Sequence, residues 1–267
     1  MKGYKWMVST LAVAALAATT GCGNMIQSLR ARDQLNKGVN AFGSANYALA
    51  VEHFKRAVDM DPNFMNARLY LATAYMSQYV PGAPSEENKR MADAAEKGFL
   101  DVLQREPNNV LAVESLGSLS FNQQNLDAAK KWYQKLIELD STKKTAFYTI
   151  GVINWTKCFQ PQTETWAKQG MKPEDPGPVK DKNAREELRA KNEAVAKEGI
   201  EMLEKALQID PDYDDAMAYM NLMYRQKAFI SETVDENKQL QSQADQWMQK
   251  ALATRKKKSE RPAIKSS

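Results

Sequence analysis

The chain has 267 residues, 43% of them apolar and 26% charged, with a formal net charge of +4 and two cysteines. That length and balance suit one or two folded domains and exclude wholesale disorder. With one histidine, a metal site built on several imidazoles is excluded as well, and two cysteines provide no disulfide framework.

The first segment is set apart. Lys2 and Lys5 precede an uncharged run from Trp6 to Ala18, which is too short to span a bilayer and is expected to act as a signal peptide over residues 1–21. Gly21-Cys22 resembles the end of a bacterial lipobox, in which the cysteine becomes the acylated N-terminus. The resemblance implies lipidation at Cys22, and Gly23 in place of aspartate implies sorting to the outer membrane, with the protein facing the periplasm. Residues 22–30 then form a linker. Removing Lys2 and Lys5 lowers the net charge to +2. The end from Arg255 carries six basic residues against Glu260, so the body is mildly acidic and offers no nucleic-acid-binding character.

An internal repeat organises the rest. Ala50-Val-Glu-His-Phe54-Lys-Arg-Ala57 followed by Asp61-Pro62 can be laid over segments anchored at Ala95, Phe99 and Val102, at Ala129, Tyr133 and Leu136, and at Gly199, Leu203 and Ala206. A fifth copy carries Ala244, Met248 and Ala251. Small, large and small residues at this spacing mark one face of a helix, and the Asp-Pro or Glu-Pro that follows three of the copies stops it. Before each copy lies a second helical pattern, with Gly38, Ala72, Gly117, Gly151 and Asn221 in corresponding positions. Glycine costs a helix about 1 kcal/mol relative to alanine, so its recurrence at one phase points to close helix packing.

The pair resembles the tetratricopeptide repeat, a helix hairpin with small residues at fixed positions and a closing proline. The resemblance implies an all-α, right-handed α-solenoid of five helix pairs, at 31–64, 65–109, 110–143, 144–213 and 214–254. Between the small positions of its two helices, a regular unit spaces 12 residues. The second, fourth and fifth units exceed this by 11, 36 and 11, so each carries an insertion. The largest contains Cys158 and prolines 161, 173, 176 and 178, which are expected to end the fourth unit's first helix. Asn183 to Glu198 return as an extension of the second helix, and Phe159 with Trp166 give the insertion something to bury. Residues 255–267 read as a basic disordered tail.

No phosphate-cradling glycine loop, nucleophile elbow or metalloprotease motif is present, and His53 sits where an exposed helical residue is expected. Asp210-Pro-Asp212-Tyr-Asp214-Asp215 lacks the glycine and closing glutamate of a calcium loop and reads as an inter-repeat turn. Neither enzymatic activity nor a cofactor is expected. The resemblance implies protein or peptide binding in a groove lined by the first helix of each unit. The corresponding positions are Tyr70, Thr73 and Ser77; Glu114, Ser118 and Asn122; Tyr148, Thr149, Val152 and Trp155; Tyr219, Leu222 and Arg225. Trp155 either lines that groove or packs under the insertion. Leu35, Val39 and Ser115 occupy the positions of the carboxylate clamp that some relatives use for chaperone tails, which argues against that ligand. The expected function is therefore a non-catalytic envelope scaffold, with a glycan- or peptidoglycan-binding protein and a structural spacer or self-assembly module as alternatives.

Overall fold

A computed structural model describes residues 25–172 and 175–260, and among these the regular secondary structure is helical throughout. Helix α1 covers residues 25–43. It is followed by α2 (Tyr47–Met60), α3 (Met65–Gln78), α4 (Glu86–Arg105), α5 (Val110–Asn122), α6 (Leu126–Leu139), α7 (Lys144–Gln169), α8 (Lys182–Ile209), α9 (Asp214–Phe229) and α10 (Val234–Ser259). The chain divides into two compact units between Asn125 and Leu126.

The helix boundaries follow from local chemistry. Asn46, Ser85, Asn109, Asp181 and Thr233 each cap a helix by accepting a hydrogen bond from the backbone N–H three residues on. Asp61, Glu106 and Asp210 leave the helical region immediately before Pro62, Pro107 and Pro211. Proline restricts the residue before it in this way, so the repeated dipeptide is the stop that the sequence predicts.

In the first unit, α1 and α2 meet where Gly38 faces Phe54. A Cβ on Gly38 would lie 2.4 Å from the Phe54 ring, which is fully buried. Ala72 of α3 and Gly98 of α4 make the equivalent approach, 2.8 Å from a Cβ built on Gly98 to the Ala72 Cβ. Arg68 and Asp101 pair beside this contact. The extra residues of this pair make a short connection at 79–85 and a long α4. Asn88 holds the connection, accepting from Val80 N–H at 2.7 Å and donating to the carbonyls of Val80 and Ala83.

In the second unit the core is formed mainly by α7, α8 and α9, with Phe147, Cys158, Leu203, Met220 and Met223 buried together. Gly151 faces Leu203, and a Cβ there would sit 2.6 Å from the Leu203 Cγ.

Four expectations need correction. Pro161 does not end the fourth unit's first helix: α7 runs through it for 26 residues and stops at Gly170, whose left-handed backbone (φ 62) closes the last turn. A proline inside a helix costs about 3 kcal/mol. The extension offsets this by packing Trp166 on Phe229, at 5.4 Å between ring centroids. The fifth pair carries its extra residues as helix: α10 has 26 residues, and only residues 230–233 connect it to α9. Finally, the segment from Arg255 is helical as far as Ser259. Arg255 bonds Asp214 at 2.7 Å and Asp215 at 2.8 Å, and Lys258 pairs with Asp214. Residues 261–267 of the expected tail lie outside the described residues. At the other end, residues 25–30 of the expected linker already belong to α1.

Gly151→Ala gains about 1 kcal/mol of helix propensity but forces overpacking against a buried leucine. The expected net outcome in urea denaturation is a loss of about 1–2 kcal/mol. Gly43→Ala, where an added Cβ meets nothing within 4 Å, should be neutral or stabilising by up to about 1 kcal/mol.

Candidate functional site

At about 100° per residue, Tyr148, Trp155, Phe159 and Trp166 fall in one narrow sector of α7, beside the sector holding Gly151 and Cys158 that faces α8. Opposite this stripe stand Tyr213, at the N-cap of α9, and Tyr219 and Phe229 within that helix. Together they form an unbroken aromatic row. Tyr213 lies 5.0 Å from Tyr148 between ring centroids, Tyr148 5.6 Å from Tyr219, and Tyr219 5.6 Å from Trp155. Trp155 stacks on Phe159 at 5.0 Å, and Trp166 joins Phe159 to Phe229 through edge contacts. Most of these contacts are edge-to-face or tilted, the arrangements that ring quadrupoles favour.

Of the residues expected to line a groove, the structure brings Tyr148, Trp155 and Tyr219 together in this row. Both alternatives for Trp155 hold in part, since it is half-buried, contacts Tyr219 and stacks on Phe159 at the root of the insertion. Val152 is buried, with 7% exposure. Thr149 is half-buried and donates to the Thr145 carbonyl. Leu222 is half-buried. Arg225 is engaged within its own hairpin, bonding Gln241 at 2.7 Å and Asp245 at 2.6 Å.

In the first unit, Tyr70 stacks on Phe54 at 5.5 Å and remains 41% exposed. Thr73 and Ser77 donate to the carbonyls four residues back. Glu114 and Ser118 are half-buried on α5, and Asn122 lines a cavity of about 440 Å³ with Tyr79, Ser85 and Lys89. His53 is half-buried, its Nδ1 2.9 Å from Gln34 Oε1, instead of standing free on the surface. Cys22 lies outside the described residues.

Tyr213, Phe159, Trp166 and Phe229 complete the row but fall outside the family's groove positions. Tyr213 sits in an inter-repeat turn and Phe229 at a helix end, where helical periodicity carries no signal. Phe159 and Trp166 were visible only as apolar content of the insertion.

That insertion is fastened in place. Asn237 and Gln241 of α10 both donate to the Pro176 carbonyl, at 3.1 and 2.8 Å, and Val179 N–H donates to the Phe229 carbonyl. Val179 packs with Leu188 and Ile230, while Arg189 holds the Ile230 carbonyl. The segment is a fixed part of the site's wall, as the expectation of a packed element anticipates.

The electrostatics are those of a half-buried, uncharged row. Burial pushes the phenols of Tyr148, Tyr219 and Tyr224 above their usual value, and that of Tyr213 to about 12. Burial also raises the Cys158 thiol to about 12, so it is no nucleophile. At the α9 end, Lys144 pairs with Asp210 at 2.5 Å and lies over the Tyr213 ring. The Lys258 hydrogen bond, with Arg255 behind it, lowers the Asp214 pKa. No three His, Cys, Asp or Glu side chains among the described residues are grouped to hold a metal.

The unfolded chain releases the Cys158 proton near 9.0 and the Tyr213 proton near 10.0, while the folded chain holds both to about 12. The stability that these two groups contribute is therefore complete below about pH 9 and is lost as pH rises towards 12. Urea midpoints should drop across that window, and Tyr148→Phe should make the drop shallower.

Tetratricopeptide repeat models match residues 35–98 and 113–143. No curated protein matches the chain in sequence. Among solved structures, a crystal structure of MamA matches with a TM-score of 0.56 and 19% identity, covering 84% of this chain and 97% of that one. MamA from Desulfovibrio magneticus RS-1 gives 0.58 and 14%, over 86% and 98%. YrrB, described as a TPR protein with an unusual peptide-binding site, gives 0.52 and 15%, over 84% and 90%. With paired helices meeting at small residues, and with these matches, the chain carries tetratricopeptide repeats at residues 35–98 and 113–143 and has the all-α fold of the solenoid structures it resembles.

Proposed function

We propose that the protein is a non-catalytic scaffold that takes a peptide or protein segment on the aromatic face shared by α7 and α9. The observation that carries this is the half-buried row Tyr213–Tyr148–Tyr219–Trp155. Rigid aromatic side chains offer contact area at low entropic cost and are frequent binding hot spots. YrrB, with the same fold, carries a peptide-binding site by its description.

The ring geometry favours a peptide over a sugar. A pyranose stacks on an open ring face, whereas one face of Trp155 is covered by Phe159 at an interplanar angle of 26° and the Tyr219 ring abuts it edge-on. Edges and gaps of this kind suit side chains inserted between rings. A pure spacer would have no need of such a row.

The scaffold belongs in the cell envelope on this proposal, exported by the signal at residues 1–21, acylated at Cys22 and held at the outer membrane facing the periplasm. The support is the sequence Gly21-Cys22-Gly23 behind the apolar run.

Tyr148→Ala with Tyr219→Ala should weaken capture of the native partner at least about tenfold while leaving the helical circular dichroism unchanged, as expected for hot-spot truncations. A photoreactive residue at position 219 should cross-link to a protein in intact cells. Co-sedimentation with purified peptidoglycan, lost in the same double variant, would replace the peptide ligand with a glycan. Palmitate labelling is expected and should disappear in Cys22→Ser; label kept by that variant would reject the anchor.

A further inference from the structure

The first turns of α1 carry three large apolar side chains in water. Met25 is 67% exposed, Ile26 52% and Leu29 55%. They are not the edge of the core. At about 100° per residue they occupy a sector of roughly 100°, while Ala31, Gly38 and Ala41, which are buried, lie on the other side of the helix. Exposed Arg30 and Arg32 flank the apolar sector, one on each side. The same face turns polar one helical turn later at Asp33, which pairs with Lys37 at 2.8 Å, and continues with Asn36 and Asn40.

We propose that this end of α1 is a membrane-surface contact, with Met25, Ile26 and Leu29 set among the acyl chains and Arg30 and Arg32 on anionic headgroups. The proposal rests on the lipid anchor at Cys22 set out above. Three peptide steps separate Cys22 from Met25, and such a span reaches at most about 10 Å. An acylated Cys22 therefore brings Met25 to the bilayer whatever path the chain takes.

The dimensions agree. From Met25 to Leu29 the helix rises only about 6 Å, so the three side chains reach the interface together, as the apolar face of a shallowly buried interfacial helix does. No described helix is long and apolar enough to cross a membrane. A second copy of the chain fits the patch less well, because stable dimers bury about 800 Å² per partner and three side chains provide a fraction of that. Arginines on both flanks suit phosphate-bearing lipid, since guanidinium forks bind phosphate oxygens.

The test uses the processed chain from residue 22 with Cys22→Ser, which cannot be acylated, and vesicles of phosphatidylglycerol or of phosphatidylcholine alone. It should sediment with the anionic vesicles. Met25→Gln, Ile26→Gln and Leu29→Gln together should lower partition at least about tenfold with unchanged circular dichroism, because all three residues point away from the core. Arg30→Gln with Arg32→Gln should abolish the preference for anionic over neutral vesicles. Equal partition of the parent and the triple variant would overturn the proposal, as would no partition at all. A dimer dissolved by the triple variant, without vesicle binding, would overturn it too. Palmitate labelling of the full chain is read separately. Label at Cys22 with no vesicle binding defeats the helix contact alone; vesicle binding without label defeats the anchor alone.

Discussion

The close approach of α7 to α8 at Gly151 is the constraint from which the second unit's geometry follows. With no Cβ between them, the helices meet at Leu203 and Gly199, while Gly199 in turn leaves room for Met223 of α9. A helix locked at one point on its circumference has no rotational freedom left. With Gly151 and Cys158 held against α8, the residues about 60° further round, Tyr148, Trp155, Phe159 and Trp166, must face α9. The aromatic row is thus a consequence of a packing requirement set by a hydrogen atom in place of a side chain.

Buried amides then fix what packing alone would leave loose. Asn192 donates to the Cys158 carbonyl, at the point where Pro161 removes a backbone donor from the next turn, and Asn221 donates to Ala244 across the last hairpin. Asn237 bonds both Pro176 and Ala228, joining the insertion to the end of α9 and the start of α10. Each amide is buried and would cost a few kcal/mol if its partner moved away, because nothing else there replaces the bond. The insertion, long and proline-rich in sequence, is therefore held by contacts that are distant in sequence but short in space.

That separation explains what could be read from the sequence. The repeat phase marks Gly38, Ala50, Ala57, Gly151, Leu203 and Ala206 as packing positions because helical periodicity is local, and all are buried. The Asp-Pro stops are legible for the same reason. Pro161 misleads because the local cost of proline is outweighed by Trp166 meeting Phe229, more than sixty residues away, which no window on the sequence contains. Arg255 to Lys258 look like a solvated charge run until α10 brings them beside Asp214 and Asp215. An insertion of eleven residues reads equally as a loop or as about three added helical turns shared by two antiparallel helices. Only the hairpin's packing decides between them.

The row that results is rigid, neutral and bounded by paired charges. Its tyrosines are held in place by one another, so a ligand need not freeze flexible side chains, and the conformational cost of binding falls mainly on the ligand. Lys144 with Asp210, and Arg255 and Lys258 with Asp214, meet their opposite charges within the fold, which leaves little uncompensated field near Tyr213 and Tyr148. On the proposed reading, selectivity would come from the spacing of rings and the gaps between them, since no phenol there ionises near neutral pH. Contact shape, fixed ultimately by Gly151, is then the property through which this unit would distinguish one partner from another.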